Sequence, residues 1–220
     1  MKKLLIPLLL ALPLHAYAVD KFYIEGQVTR FNPSKVDSKT YNTQNFVIPG
    51  LAASGNLVEK YGKDTAVGLE VGIKIKKNNR IAFSYTKPQF KLKTLGITGN
   101  IGTLPVNSIV SRTTMGTVIP EDTFDNDVKL FMLNYYYDFN FNESFVPFLG
   151  VGAGLADFSN GESKELTRSL YGGAKYYFNE IIYVGAKLNY TTISGPTDKN
   201  DIKFDSVDST AGSVLLGFEF

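Results

Sequence analysis

The residues that could do chemistry are few. Among 220 residues there is one histidine, His15, and no cysteine. His15 falls inside an expected signal peptide, so the remainder of the chain has no imidazole to activate a serine and no thiolate to attack or to bind zinc. The carboxylates that remain are scattered along the chain, a pattern that usually means solvent-facing acids. Gly150, Gly152 and Gly154 match a fragment of a phosphate-cradling fingerprint but lack the third glycine spacing and the following helix. They read as small side chains lining one face of a strand. Asp198, Asp201 and Asp205 lack the clustered spacing of a calcium or zinc site. Neither enzymatic activity nor a cofactor or metal is expected.

A second set of charges is more telling. Glu25, Glu70, Lys74, Arg80, Lys175, Lys187 and Glu219 each stand in a stretch that alternates between apolar and other residues, on the side opposite the apolar row. Buried charges must pair, so these three acids and four bases predict a plug of ion pairs and tyrosines. Glu70 with Lys187 is the favoured pair.

The elements that must position them are strands, since side chains on a strand alternate between two faces. Eight stretches show this period, and no comparable stretch shows helical spacing. The clearest sets Val67, Leu69, Val71, Ile73 and Ile75 against Gly68, Glu70, Gly72 and Lys74; another sets Ile182, Val184, Ala186, Leu188 and Tyr190 against Tyr183, Gly185, Lys187 and Asn189. The stretch near 128–139 has apolar groups on both faces. There, Asn134 and Asp138 favour Phe131, Leu133, Tyr135, Tyr137 and Phe139 as the outward set. The last stretch sets Val214, Leu216, Phe218 and Phe220 against Ser213, Leu215, Gly217 and Glu219.

The expected fold is all-β, an eight-stranded antiparallel transmembrane up-and-down β-barrel. Residues 1–18 read as a cleaved signal peptide, with Lys2 and Lys3, an apolar run from Leu4 to Leu14, and Ala16-Tyr17-Ala18 as the cleavage site. Residues 19–220 form one barrel domain with long loops at about 32–64, 87–126, 159–164 and 194–206, and short turns between. Short turns on one rim and long loops on the other are the asymmetry of barrels with periplasmic and extracellular ends. A soluble lipocalin-like barrel is the alternative, with the apolar row inside. Loop asymmetry, aromatic residues near strand ends and a polar face rich in glycine and serine favour lipid outside. Without Lys2 and Lys3 the chain carries 21 basic and 21 acidic residues, a balance that points away from nucleic acid.

Phe220 with Phe218 before it, Phe22-Tyr23-Ile24-Glu25-Gly26, Asn134-Tyr135-Tyr136-Tyr137-Asp138-Phe139, and the run from Val146-Pro147-Phe148 to Gly154 resemble the small outer-membrane barrels of the opacity and surface-antigen type, porin-like and eight-stranded. The resemblance spans residues 19–220. It implies location in the bacterial outer membrane among lipid and lipopolysaccharide, and insertion by the barrel assembly machinery, with Phe218 and Phe220 as the signal it reads. The expected role is structural or adhesive, through the long loops, with a narrow porin or transporter for small or apolar solutes as the alternative. Open aqueous channels need about 16 to 18 strands. In the loop at 87–126, Leu95 to Pro120 carries only Arg112 as a charge. Either it extends the flanking strands as a hairpin, or it presents an apolar patch to a host surface, a neighbouring barrel or a greasy small molecule.

Overall fold

A chain that alternates over ten or more residues can satisfy its backbone only by pairing those strands, and closing the sheet removes its edges. The computed structural model describes residues 19–43, 52–75, 78–116, 125–140, 144–159, 161, 163–197 and 203–220. The expected signal peptide lies outside the described residues. The strands are β1 (Val19–Pro33), β2 (Lys35–Asp37), β3 (Tyr41–Thr43), β4 (Ala53–Tyr61), β5 (Asp64–Ile75), β6 (Asn79–Thr86), β7 (Gln89–Ile101) and β8 (Leu104–Ser111). A helical turn, α1 (Arg112–Gly116), precedes β9 (Asp125–Asp138), β10 (Phe145–Phe158), β11 (Lys164–Tyr177), β12 (Ile182–Ile193) and β13 (Val207–Glu219).

Eight of these close on themselves in the order β10-β11-β12-β13-β1-β5-β6-β9, with β9 returning to β10, every pair antiparallel. The first and last strands complete the wall through Phe220, whose N–H donates to the Phe22 carbonyl at 2.8 Å and whose carbonyl accepts from the Phe22 N–H at 3.1 Å. The fold is the expected eight-stranded barrel.

The apolar row lies outside. Val67 is 74 % exposed and Leu188 70 %, whereas Arg80 and Lys175 are each 1 % exposed. This excludes the lipocalin-like alternative along the lower and middle wall. The ambiguous strand falls as its polar residues indicate, with Tyr135 and Tyr137 outward and Asn134 and Asp138 buried. Aromatic pairs ring the outer wall at both ends: Tyr137–Phe139 and Tyr176–Phe178 toward the short turns, and Tyr85–Phe131 toward the long loops.

At the long-loop end the polarity inverts. The inward rows continue as Phe31, Val128, Leu130, Ile193 and Val207, while Arg30, Lys129 and Arg168 face outward. Loop residues Val36, Leu57, Phe90, Leu92, Leu95 and Phe204 fold onto this apolar lining and cap the barrel. The regions expected as loops at 32–64 and 87–126 therefore carry strands. β7 and β8 form a hairpin, but β7 continues the barrel only where Gln89–Lys91 pair with Asp125–Asp127; beyond that it turns onto β4. Of the two readings of this loop, the hairpin is present, and it extends the flanking strands only at its base. Pro88, which cannot donate to a ladder, stands where the chain leaves the barrel wall.

Candidate functional site

Small inward residues on one wall make room for large ones from another. Gly217 lies beneath the Tyr183 ring and Gly150 beneath the Tyr136 ring; a Cβ at either would collide with the ring. The tyrosine hydroxyls that reach the lumen in this way donate to its carboxylates.

The charged side chains form two linked tiers. In the upper one, Glu70 on β5 accepts hydrogen bonds from the hydroxyls of Tyr23 and Tyr136, both at 2.8 Å, and from Asn134 Nδ2 at 3.2 Å. Glu25 on β1 accepts from Tyr183 at 2.9 Å. Lys187 on β12 stands 3.6 Å from each of the two glutamates. The favoured pair of Glu70 and Lys187 thus meets, but as part of a triad with Glu25. Tyr171 donates to Asn134 Oδ1 at 2.9 Å, holding that amide toward Glu70.

In the lower tier Asp138 on β9 is the hub. Arg80 Nε on β6 donates to both of its oxygens at 3.0 Å, and Lys175 Nζ on β11 donates at 3.1 Å. Glu219 on β13 accepts from Tyr177 and lies 3.4 Å from Lys74, 3.8 Å from Lys175 and 3.7 Å from Lys21 at the rim. The Arg80 guanidinium joins the tiers, donating to the Tyr23 hydroxyl at 3.2 Å with its carbon 4.4 Å from the Tyr136 ring centroid. Cations over aromatic faces recover part of the desolvation cost. Lys187 and Lys175 sit likewise over tyrosine rings, 5.5 Å from Tyr171 and 5.1 Å from Tyr183.

All seven charges singled out from the sequence therefore lie in one network. Asp138 was missing from that set. With it, four acids face four bases, and the plug is neutral. The signal was available, because the parity that turns Asn134 inward also turns Asp138 inward. Three acids against four bases leave one base without a counterion, which itself points to a fourth acid.

Above the plug the lumen is lined by hydroxyls and an amide that bond in pairs, with Gln27 Oε1 left without a partner. Gln27 donates to Thr86 at 3.1 Å, Thr29 and Ser213 bond at 2.8 Å, and Ser169 and Thr191 at 2.7 Å. A cavity of about 30 Å³ remains there, room for about one or two waters. The apolar cap closes the lumen above it.

An apolar outer wall with aromatic girdles, closed over eight strands and with charges paired inside, defines a membrane-spanning β-barrel. Residues 4–220 match the family described as outer membrane protein beta-barrel domain, and the chain belongs to it, placing the protein in the bacterial outer membrane. No curated protein sequence matches. Similar solved structures include OprG of Pseudomonas aeruginosa, with 16% identity, TM-score 0.58, and 93% of this chain and 97% of that one covered. Neisserial surface protein A shows 16% identity, TM-score 0.56, and 90% and 97% coverage. AlkL in lipid bilayers shows 16% identity, TM-score 0.53, and 93% and 92% coverage. At this identity the likeness concerns the fold.

Proposed function

We propose that the protein is a non-conducting surface barrel that makes structural or adhesive contacts through the strands rising from its long loops. The observation that carries this reading is the sheet β8-β7-β4 above the rim. Its outermost strand, β8, pairs only with β7, so one side of its backbone meets no strand among the described residues. Leu104–Ser111 has no charged residue, and Leu104 and Ile109 are 69 % and 81 % exposed. An uncharged edge of this kind is a template for strand addition or apolar contact. In support of the non-conducting reading, ion pairs and tyrosines fill the lumen below it, an apolar cluster lies over them among the described residues, and the barrel has half the strands of open channels of about 16.

Excising the whole loop at 87–126 is a poor test, because Phe90, Leu92 and Leu95 belong to the cap. The sharper variant is Leu104→Asp with Ile109→Asp, in cells bearing the protein on their surface. Loss of binding to host cells or matrix at unchanged surface level is expected; undiminished binding would remove the adhesive role. Single-channel recording tests the other half, with silence or rare small openings expected and large regular steps opposing. Regular uptake of apolar solutes would favour the transporter alternative, for which the apolar lining by Phe31, Leu130 and Ile193 is the supporting feature. No catalytic step belongs to this reading, since the single histidine is His15. For assembly, we infer that Phe218 and Phe220 are read by the barrel assembly machinery.

A further inference from the structure

On the outer wall at the long-loop end lies a groove of about 630 Å³, whose floor is the outward face of β11 and β12. Leu170 and Tyr190 form its lower part and stand opposite each other in the ladder; Arg168 and Thr192, the next outward pair, form its upper part. Two residues along a strand amount to about 6.6 Å, so Arg168 stands across from Thr192, just beyond Tyr190, the last outward apolar residue of β12, while on β11 the exposed Leu166 follows it. An outward tyrosine such as Tyr190 suits the level where hydrocarbon gives way to headgroups.

The groove has a built roof. Lys39 and Asp205 overhang it from two different loops, which are tied together by backbone bonds: Lys39 N–H to the Lys203 carbonyl at 2.7 Å and Asp205 N–H to the Asp37 carbonyl at 2.9 Å. Between them Phe204 turns inward and is buried in the apolar cap. The cap therefore fixes the overhang. Among the described residues, neither Lys39 nor Arg168 has a carboxylate within ion-pair distance, and Asp205 has no cation. Thr192 is turned aside, donating to Asp208 at 2.7 Å.

We propose that this groove binds one phosphate of lipopolysaccharide in the outer leaflet, with Arg168 and Lys39 gripping the phosphate and Leu170 and Tyr190 meeting the acyl chains and sugar. Two cations against one carboxylate leave the site positive. Its volume exceeds that of a bare phosphate and suits a phosphorylated sugar. Arg and Lys contribute differently here: Arg168 offers a planar fork to two phosphate oxygens, Lys39 a point charge. Anionic lipid beside Leu170 and Tyr190 would give this outward cation a partner, and none stands within ion-pair distance among the described residues. Asp205 opposes the phosphate and limits affinity.

The test uses the intact protein in detergent micelles, titrated with fluorescent lipid A bearing its phosphates, with enzymatically dephosphorylated lipid A, with phosphatidylglycerol vesicles, and with inorganic phosphate as competitor. Lys39→Gln and Arg168→Gln should each weaken binding of phosphorylated lipid A about tenfold, as for loss of one charge-assisted contact. Arg168→Lys should recover only part of the loss, and Asp205→Asn should tighten binding. All are surface positions, and unchanged heat-modifiable gel migration verifies folding. Equal affinity of the Lys39→Gln and Arg168→Gln double variant overturns the proposal. So does equal binding of dephosphorylated lipid A, equal binding of phosphatidylglycerol, or full displacement by inorganic phosphate.

Discussion

Replacing Asp138 with asparagine keeps the side-chain shape and removes one charge from the centre of the lower tier. Its side chain and that of Arg80 are 0% and 2% exposed. Arg80 then has no carboxylate within ion-pair distance among the described residues and keeps the Tyr23 hydroxyl, one amide oxygen of the new side chain and its aromatic neighbours. Lys175 retains Glu219 at 3.8 Å. Stranding a buried charge by removing its partner costs about 3 to 5 kcal/mol. With a urea slope of about 2 kcal/mol per molar, the unfolding midpoint should fall by about 1.5 to 2.5 M. The chain has no tryptophan, so unfolding in micelles is followed by far-ultraviolet circular dichroism and by the mobility of unboiled samples. Adding Arg80→Met to Asp138→Asn removes the stranded charge, and the double variant should lose about 1 to 3 kcal/mol less than the two single losses together. A change within about 0.5 kcal/mol for Asp138→Asn, or strictly additive losses in the double variant, would refute the view of Asp138 as the hub.

Three further outcomes follow from the same geometry. Glu70→Ala removes the acceptor shared by Tyr23, Tyr136, Asn134 and Lys187; thermal stability should drop and brief bilayer openings appear, and the plug would be discounted were both unchanged. Deleting Phe220 removes the backbone bonds to Phe22 that complete the wall and the aromatic end of β13; surface levels and heat-modifiable migration should both decline, and normal values for both would count against the assembly role. At the long-loop rim, the hydrogen bond from Lys87 holds the Asp127 carboxyl below its ordinary range. Because the folded value is the lower one, any stabilising effect of this contact is present above the ordinary carboxylate pKa and is lost as pH falls through the depressed value. Lys87→Gln should move the Asp127 titration upward by NMR, whereas an unmoved midpoint would show that the contact is not populated.

The wall of the barrel was legible because each strand reports its own orientation locally. Val67 and Glu70 need no knowledge of any other strand to be assigned to opposite faces. The lumen charges followed from the same parity, but their pairing did not, since Lys187 meets Glu25 and Glu70 through closure of the whole barrel. The cap was illegible for a different reason. Parity says that Phe31, Val128 and Val207 point inward but not that the inside has become apolar at their height. The pairing of β4 with β7 joins segments from two separate loops, and Ala53–Tyr61 lacks the clean alternation that marks the wall strands.

The inversion of polarity follows from a change of solvent along the barrel. Within the hydrocarbon the outer wall must be apolar, so a distinct inner face has to be polar if the sheet is to know its register. Slipping one strand by a single residue exchanges its faces. For β12 this would put Lys187 against lipid, at about 2 to 4 kcal/mol near the midplane and less toward the rims, while Leu188 would enter the plug beside two glutamates left without their lysine. The ion pairs therefore reject the wrong register as well as fill the lumen. Above the girdle the outside meets water, as Arg30, Lys129 and Arg168 indicate, and the constraint reverses. An apolar interior now marks the inner face, and Phe31, Leu130 and Ile193 can bury loop residues such as Phe90 and Phe204 by the ordinary hydrophobic effect. One continuous set of strands thus folds as a membrane barrel below and a water-soluble barrel above. On β12 the outer face changes between Tyr190 and Thr192, at the floor of the outer groove.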